Sequence, residues 1–291
     1  MEFNAPDIRL ENLTVGYGTK VIVSDLTMTL PAGKITMIVG GSGSGKSTLL
    51  KHILRLHRPL EGRVFVGGHD VMALEGKAFQ CLRQRMGVLF QDGALLGSLN
   101  LGDNVALPLR EHTRLKEKDV QEIVRAKLGL VGLGHHMELY PNELSGGMRK
   151  RAGLARAMVM DPSLLFCDEP TSGLDPILSA ELDQLLVEMN RRFGMTMVVV
   201  SHDLESMRAI ADYVVVLGFG KALYHGDLEG LEHTEDEYLK RFLNRLAEER
   251  DASKLSLPTL DRSKMKLDCS RILGALAVEN NASGREQGRD R

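Results

Sequence analysis

One short glycine-rich segment, residues 40–48, limits the possible folds of this 291-residue chain more than any other part of it. It reads GGSGSGKST and satisfies the phosphate-binding loop pattern G-x-x-x-x-G-K-S. The apolar run before it, Ile35–Val39, predicts a strand, and Lys46–Leu56 after it predicts a helix because it has no internal Gly or Pro. A loop in this context turns backbone N–H groups toward phosphate oxygens at the positive end of the helix dipole. The alternative is a glycine-rich turn without a ligand, which the complete pattern and its flanks disfavour.

Each residue type in this loop has a predicted role in binding a nucleoside triphosphate. Glycines allow the backbone to approach closely, Lys46 adds a point charge near the β and γ phosphates, and the Ser47 hydroxyl is suited to ligate Mg²⁺. The residues that the pattern assigns to nucleotide binding are Gly40, Gly41, Ser42, Gly43, Ser44, Gly45, Lys46, Ser47 and Thr48.

A second motif pairs an apolar strand with two carboxylates. The run Leu164–Cys167 is followed directly by Asp168 and Glu169. Because ligands gather at the carboxyl ends of strands in such sheets, we expect Asp168 to hold Mg²⁺, directly or through water, and Glu169 to polarise the attacking water. An Asp-Glu pair after a strand is more often a solvated loop start, so this interpretation depends on the phosphate-binding loop.

Short apolar runs elsewhere predict an α/β fold with two β layers. The runs Ile8–Val15 and Val21–Leu30 predict antiparallel strands, the second with Leu26, Met28 and Leu30 on one face. A hairpin segment is predicted at 61–68. Further strands are predicted at 87–90, 164–167, 195–200 and 214–217, and helices at 148–160, 176–192 and 204–211. Short strands between helices indicate a parallel sheet covered on both faces. From residue 92 to about 144 the pattern changes to loop and helix, with an amphipathic segment at 116–128, which predicts an inserted helical lobe.

Composition and charge argue against several classes of protein. Lys and Arg total 37 against 39 for Asp and Glu, and a net charge of −2 without a basic block disfavours a nucleic-acid partner. The longest apolar runs are five to seven residues, far below the roughly 20 that a membrane-spanning helix needs. No signal peptide is evident at the N-terminus, so we expect a cytosolic chain. The dispersed Cys81, Cys167 and Cys269 form no disulfide framework or metal clip and are expected to be reduced, with Cys167 in the core.

A further set of motifs makes the chain resemble the ABC ATPases. The segment Leu144-Ser145-Gly146-Gly147 lies between the two phosphate-site motifs, as the signature of that family does. The other resemblances, in chain order, are Tyr17 for the aromatic residue that stacks on adenine, Gln91 for the Q-loop, Ser172–Asp175 for the D-loop and His202 for the switch histidine. The resemblance spans about residues 6–230. It implies a P-loop NTPase of ABC type, with a RecA-like core, an antiparallel β subdomain and an inserted helical subdomain at about 92–150.

The resemblance also implies a composite ATP site in a head-to-tail homodimer. ATP and Mg²⁺ would lie between the phosphate-binding loop of one copy and Ser145-Gly146-Gly147 of the other, where the backbone N–H groups begin a helix. Considered alone, Ser145 is typical of an ordinary helix N-cap. Met148 departs from the Gln of many relatives, which puts a side-chain contact from that position in doubt. The implied roles are catalysis by Lys46, Gln91, Glu169 and His202, adenine stacking by Tyr17, nucleotide contact by Asp175, and Mg²⁺ binding by Ser47, Gln91 and Asp168.

Two segments in the predicted helical lobe resemble one particular group within the ABC ATPases. Residues 90–95 (FQDGAL) and 103–113 (DNVALPLREHT) resemble the ATPase of the maintenance-of-lipid-asymmetry (Mla) transporters. This implies an ATPase that drives phospholipid transport between the inner and outer membranes of a Gram-negative bacterium, bound peripherally to the cytoplasmic face of the inner membrane. The implied partners are a membrane permease, an MCE-type lipid-binding protein and a small cytosolic accessory protein. The alternatives are the ATPase of a small-solute ABC importer and a soluble iron-sulfur assembly ABC ATPase. Leu95, Leu96 and Leu99 would either dock a membrane partner or pack internally.

The chain is therefore expected to have three parts. Residues 1–230 form the ABC ATPase domain, residues 231–250 a C-terminal amphipathic helix, and residues 251–291 a flexible tail rich in Ser, Asn, Arg, Asp and Gly. The helix carries an apolar stripe formed by Tyr238, Leu239, Phe242, Leu243 and Leu246. That stripe either packs on its own domain or docks a partner, and packing on its own domain is favoured because most such stripes face a core.

Overall fold

Two β-sheets organise the part of the chain that the computed structural model describes, residues 5–246. The strands are β1 (Ile8–Tyr17), β2 (Lys20–Leu30), β3 (Ile35–Gly40), β4 (Glu61–Val66), β5 (His69–Asp70), β6 (Met86–Leu89), β7 (Leu164–Asp168), β8 (Thr196–Val200), β9 (Tyr213–Gly218) and β10 (Lys221–Gly226). The helices are α1 (Lys46–Ile53), α2 (Gly76–Gln84), α3 (Leu101–His112), α4 (Glu117–Leu130), α5 (Gly146–Met158), α6 (Pro176–Phe193), α7 (Leu204–Ile210), α8 (Leu228–Glu232) and α9 (Glu237–Leu243), with a 3₁₀ turn at Pro141–Glu143.

The smaller sheet is antiparallel, with strand order β2-β1-β4-β5. The predicted alternation along β2 is confirmed, because Leu26, Met28 and Leu30 are buried while the residues between them are exposed. The buried face of this sheet packs with α1 and with one face of the larger sheet in a single apolar cluster. This layer places Tyr17, at the end of β1, close to the helix that follows the phosphate-binding loop.

The larger sheet has the order β10-β9-β3-β8-β7-β6. Of its described strand pairs, the one between the edge strand β10 and β9 is antiparallel and the other four are parallel. Every residue of β3 and β8 is buried, which confirms the predicted parallel sheet covered on both faces. Strand β3 lies in this sheet, not in the antiparallel layer that precedes it in the chain. Helix α2 and strand β10 were not predicted: α2 buries none of its residues, and β10 is a half-exposed edge, so neither carries a strong apolar period.

Strand register brings four strand ends to one edge of the larger sheet. Ile38 and Asp168 both pair with Val200, and Leu89 pairs with Cys167. The chain therefore leaves β3, β7, β8 and β6 at the same edge, where the sequence places its phosphate-binding loop, its carboxylate pair, His202 and Gln91. Parallel strands with polar residues at their carboxyl ends are the usual ligand-binding edge of such a sheet.

The predicted helical lobe is present as α3, α4 and α5, which share their apolar residues with the main core. Helix α4 extends past residue 128, where the predicted amphipathic segment ends, and includes Gly129. It continues to Leu130 and ends in a Schellman motif, with Gly132 at φ 76°, Leu133 N–H donating to Leu128 O at 2.7 Å and Gly132 N–H donating to Gly129 O at 3.1 Å. A single glycine inside a helix is tolerated when tertiary packing holds it.

The predicted C-terminal helix at 231–250 is replaced, within the described residues, by the two short helices α8 and α9. Leu239 and Leu243 are buried in the main core, so the apolar stripe packs on its own domain, whereas Leu246 is 61% exposed. Helix α9 ends early because Arg245 takes a left-handed conformation (φ 54°) and Leu246 N–H donates to Arg241 O. The end of the predicted helix (247–250), the tail at 251–291 and Cys269 lie outside the described residues.

Two further expectations concern thiols and membrane spans. Cys167 is fully buried, as predicted, and Cys81 is exposed. None of the helices between residues 5 and 246 combines the length and apolar character that a bilayer span requires.

Asp183 in α6 supports a prediction about stability. It is 5% exposed, and burial raises its pKa to about 6, with the nearby Ser206 hydroxyl opposing the shift and Asp203 adding to it. Because this pKa exceeds that of the unfolded chain, the free energy of unfolding falls as pH rises from about 4 to about 6. We expect Asp183→Asn, which cannot ionise, to raise the free energy of unfolding at pH 8 by up to about 3 kcal/mol.

Urea denaturation at pH 5 and pH 8 measures this effect. The gain from Asp183→Asn should be larger at pH 8, and the exposed control Glu122→Gln should show no pH-dependent difference from the unsubstituted chain. An equal gain at both pH values would contradict the assignment.

Candidate functional site

The phosphate-binding loop connects β3 to α1 in a conformation that requires glycine. Gly40, Gly43 and Gly45 have φ values of 152°, 77° and 99°. A Cβ at Gly40 would lie 2.3 Å from Leu217 O, and one at Gly45 would lie 2.5 Å from a Val23 methyl carbon. A Cβ at Gly41 or Gly43 would meet no atom within 4 Å, so this side of the loop is open. The loop is a backbone cradle at the N-terminus of α1, suited to an anionic ligand.

Lys46 and Ser44 provide polar groups inside this cradle. The Lys46 side chain is buried, and its Nζ donates to Gly40 O at 3.0 Å and Gly41 O at 3.1 Å. Desolvation lowers the pKa of Lys46, and the negative charges of Glu169 and Asp168 partly oppose that shift. The Ser44 hydroxyl is buried and has no hydrogen-bond partner. A buried cation and an unpartnered hydroxyl beside open space fit the oxygens of a bound phosphate. Ser42 is exposed and Thr48 half-buried in the same segment.

Ser47 and Asp168 meet across the site in an arrangement that fits Mg²⁺. Ser47 Oγ donates to Asp168 Oδ1 at 3.0 Å, which brings a hydroxyl and a carboxylate oxygen together. Mg²⁺ prefers such oxygen ligands and usually combines one or two carboxylates with substrate phosphates and water. Within residues 5–246 no group of three His, Cys, Asp or Glu side chains is placed to hold a metal ion. Gln91 lies exposed at the same sheet edge, two residues beyond Leu89.

Glu169 and His202 form a direct pair. Glu169 Oε2 lies 2.7 Å from His202 Nδ1, the carboxylate is largely buried, and the imidazole is exposed. Glu169 has a φ of 51°, an uncommon conformation for a residue with a side chain, and its N–H donates to Val200 O. Strain of this kind concentrates at functional sites. The pair orients the imidazole through Nδ1 and leaves Nε2 for a second partner.

The signature segment begins helix α5. Ser145 is its N-cap, with Oγ accepting from Met148 N–H at 3.2 Å, so the alternative interpretation as an N-cap serine describes the local structure correctly. Ser145 and Gly146 are exposed. Backbone N–H groups of a first turn have no intrahelical acceptor and favour an anion. The side chain of Met148 packs against the main core, which accounts for an apolar residue at that position.

Tyr17 and Asp175 are the two remaining predicted site residues. The Tyr17 ring is 42% exposed and lies edge-on to His57, with ring centroids 5.1 Å apart, beside the buried His52. Asp175 is the N-cap of α6 and accepts from Ile177 N–H and Leu178 N–H. Tyr17 therefore offers a ring for stacking, whereas Asp175 has a structural role in the described chain and its nucleotide contact stays a prediction.

Sequence reasoning missed two basic residues that hold the site together, Lys150 and Arg156. Lys150 Nζ donates to Glu169 O and to Ser172, and the Arg156 guanidinium donates to Gly93 O at 2.9 Å and to Ala94 O. A signal for Lys150 was available, because it lies on the helical stripe that also contains Gly147, Leu154 and Met158, all buried. A basic residue on such a stripe needs buried partners.

Glycines allow the segment after Gln91 to pack closely on α5. A Cβ at Gly153 would lie 2.8 Å from Gly93 Cα, and one at Gly93 would lie 2.6 Å from Arg149 O. Gly93 also has a φ of 75°. Together with the hydrogen bonds of Arg156, this contact fastens the Gln91 segment to the helix that begins at Ser145.

Comparison with known proteins places this geometry among the ABC cassettes. A family profile described as "ABC transporter" matches residues 23–172. The chain is 44% identical to the probable ribonucleotide transport ATP-binding protein mkl of Mycobacterium tuberculosis over 81% of its own length and 66%, just under two thirds, of that protein. It is 42% identical to the intermembrane phospholipid transport system ATP-binding protein MlaF of Haemophilus influenzae, over 81% of its own length and 89% of that protein. A dimeric, post-hydrolysis ATP-binding cassette bound to ADP and Pi superposes with a TM-score of 0.70 at 29% identity, covering 76% of this chain and 98% of that one.

Lys46 gives a direct test of the phosphate-binding loop. Replacing Lys46 with Ala removes the cation from the cradle, so we expect the affinity for ATP to fall by about tenfold or more. The control Lys51→Ala changes a lysine five residues further along α1 and should leave the dissociation constant unchanged. Equilibrium titration with a fluorescent ATP analogue measures both, and undiminished binding by Lys46→Ala would contradict the assignment.

Proposed function

This chain belongs to the ABC transporter family as one of its ATP-hydrolysing cassettes, and on that premise we propose that two copies use ATP to drive phospholipid transport between bacterial membranes. The observation that carries the proposal is the meeting of the Ser47–Asp168 pair and the Glu169–His202 pair at one edge of the parallel sheet. One pair suits the metal and phosphates of ATP, and the other suits the activation of water beside them.

In the proposed reaction, the residues of this chain mainly position groups and neutralise charge. The loop amides and Lys46 hold the β and γ phosphates, and Ser47 and Asp168 hold Mg²⁺, with Gln91 as a further ligand from the same edge. Mg²⁺, when bound, neutralises charge on the phosphates. The Glu169 carboxylate accepts a proton from the attacking water, and His202 hydrogen-bonds the γ-phosphate from its outer nitrogen.

The proposed active form is a head-to-tail homodimer. Each copy would place Ser145, Gly146 and Gly147 against the nucleotide held by the other, with Tyr17 stacked on adenine and Asp175 near the interface. Support comes from the exposed N-terminus of α5 and from the dimeric cassette of similar structure. An anion at this helix terminus would use N–H groups that have no intrahelical acceptor.

A cleft between the two lobes supports a membrane partner. Its volume is about 600 Å³, and its lining includes the side chains of Phe90, Pro108, His112 and Met160. Phe90 is 39% exposed and Leu96 is 45% exposed, whereas Leu95 packs partly against the main core. Of the leucines predicted either to dock a partner or to pack internally, Leu95 therefore packs partly and Leu96 is exposed. We assign the cleft to a cytoplasmic segment of a permease, which would hold the cassette at the cytoplasmic face of the inner membrane.

The choice of phospholipid as cargo depends on relatives. MlaF of Haemophilus influenzae is named for intermembrane phospholipid transport, and the Mla-like segments 90–95 and 103–113 agree with that choice. An MCE-type lipid-binding protein and a small cytosolic protein would complete such a system. The name of the mycobacterial relative favours a second candidate, a ribonucleotide transporter of the small-solute class. Cys167 does not support a soluble iron-sulfur assembly role. Burial raises the pKa of its thiol to about 12, and the thiolate is the form that ligates metal.

Glu169 provides the test of the proposed reaction. The substitution removes the carboxylate that is proposed to accept the proton of water, so we expect Glu169→Gln to lower the turnover number by about 100-fold or more while ATP still binds. Size-exclusion chromatography with ATP should then show a stable dimer. The control Glu188→Gln changes an exposed glutamate on α6 and should keep full turnover. Retained hydrolysis by Glu169→Gln would remove Glu169 from this role.

Identification of the membrane partner tests the proposed cargo. We expect the full chain, purified from membranes in mild detergent, to recover a permease and bound phospholipid, because the permease pore selects what is moved. Reconstituted complexes should transfer fluorescent phospholipid between vesicles and should not accumulate ribonucleotides. Ribonucleotide uptake would favour the second candidate, and recovery of the chain without any membrane subunit would contradict transport.

A further inference from the structure

Lys150 is a buried lysine in α5, the helix that begins at the signature segment. Its side chain binds the turn that follows β7. It is 5% exposed and lies five residues after Ser145 on α5, about 7.5 Å along the helix axis. Its Nζ donates to Glu169 O at 3.1 Å, to Ser172 O at 2.5 Å and to Ser172 Oγ at 3.0 Å. Both acceptor residues belong to the turn that follows β7.

These contacts satisfy all the donors of the ammonium group. An ammonium has three hydrogens, and three oxygen atoms accept them. Ser172 Oγ also donates to Glu169 O at 2.9 Å, so the lysine and the turn form a closed ring of hydrogen bonds. Desolvation lowers the pKa of Lys150, with Asp92 and Glu169 opposing the shift. A buried cation with every donor used holds its partners in one arrangement.

The turn that Lys150 holds determines where the Glu169 carboxylate points. Glu169 has a left-handed φ of 51°, which Cβ sterics disfavour, so surrounding contacts must maintain it. On one side its N–H is bonded to Val200 O, and on the other its carbonyl accepts from Lys150 and Ser172. In this conformation the carboxylate reaches His202 at 2.7 Å.

We propose that Lys150 is a positioning residue for hydrolysis, which keeps the Glu169 carboxylate aligned by holding the turn between Glu169 and Ser172. The inference rests on the proposed function, because it assigns Lys150 a role in the reaction of Glu169. Lys150 also ties that turn to α5, whose first turn is Ser145-Gly146-Gly147. A displacement of the N-terminus of α5 would therefore be passed through the Lys150 side chain to the turn that holds the Glu169 carboxylate of the same chain.

A purely structural role is the competing explanation, and the chain offers a matched control. Lys127 in α4 is also a buried lysine, 8% exposed, and its partner is Asp161, not the turn at Glu169. Lys127→Met and Lys150→Met both remove a buried charge of the same size. Only Lys150→Met also removes hydrogen bonds to the turn at Glu169.

The experiment compares the two variants in the full chain by thermal unfolding, ATP affinity and turnover number. We expect Lys150→Met to lower the turnover number by about 10- to 100-fold, the range produced by slight misplacement of a catalytic group, with an ATP dissociation constant within about threefold of normal. Lys127→Met should keep turnover within about twofold once the folded fraction is taken into account. Equal turnover in the two variants would overturn the proposal.

Ser172→Ala keeps the proposal testable if Lys150→Met does not fold. It removes one hydroxyl of the ring and should lower turnover by about threefold to tenfold without weakening ATP binding. Unchanged turnover would again overturn the proposal. Where both variants fold, the double variant should lose less than the product of the single losses, since the two groups act on one turn. The proposed function fails if the unsubstituted chain does not hydrolyse ATP or if Glu169→Gln retains turnover. If Lys150→Met is fully active while Glu169→Gln is inactive, only the positioning role of Lys150 is rejected.

Discussion

The parallel pairing of β3 with β8 and of β8 with β7 is the constraint on which the site depends. Because Val200 pairs with both Ile38 and Asp168, the phosphate-binding loop and the carboxylates leave the sheet at one level. The Ser47–Asp168 contact spans 121 residues of sequence and follows from that register. Full burial of β3 and β8 maintains the register, because a one-residue slip would exchange the side chains on the two covered faces of the sheet.

Helix α5 is the second support of the site. Gly153 allows it to pack closely on Gly93, Arg156 holds the same segment by its carbonyls, and Lys150 holds the turn at Glu169. One helix therefore contacts the segment after Gln91 and the turn at Glu169, and it presents Ser145 at its N-terminus. These contacts fix the positions of the three groups relative to one another.

Much of the fold could be predicted from the sequence, for identifiable reasons. Strands β2, β3, β7 and β8 carry strong alternating or continuous apolar patterns, and helix α6 is bounded by Asp175 and Gly194. Helix α2 was missed because it buries nothing, and strand β10 because it is an edge. The helix expected at 231–250 ends instead at Leu243, where a left-handed Arg245 terminates it in the way that a glycine usually does.

The amino-acid sequence by itself determined which polar groups the candidate site contains, because the phosphate-binding loop, the carboxylate pair and the signature are contiguous segments that can be recognised from their residue types. Only the tertiary structure decided how those groups are held. The left-handed turn at Glu169, its contact with His202 and its attachment to Lys150 join residues 19 to 33 positions apart. Contacts of that kind depend on the packing of α5 and the strand ends, and local residue patterns do not encode them.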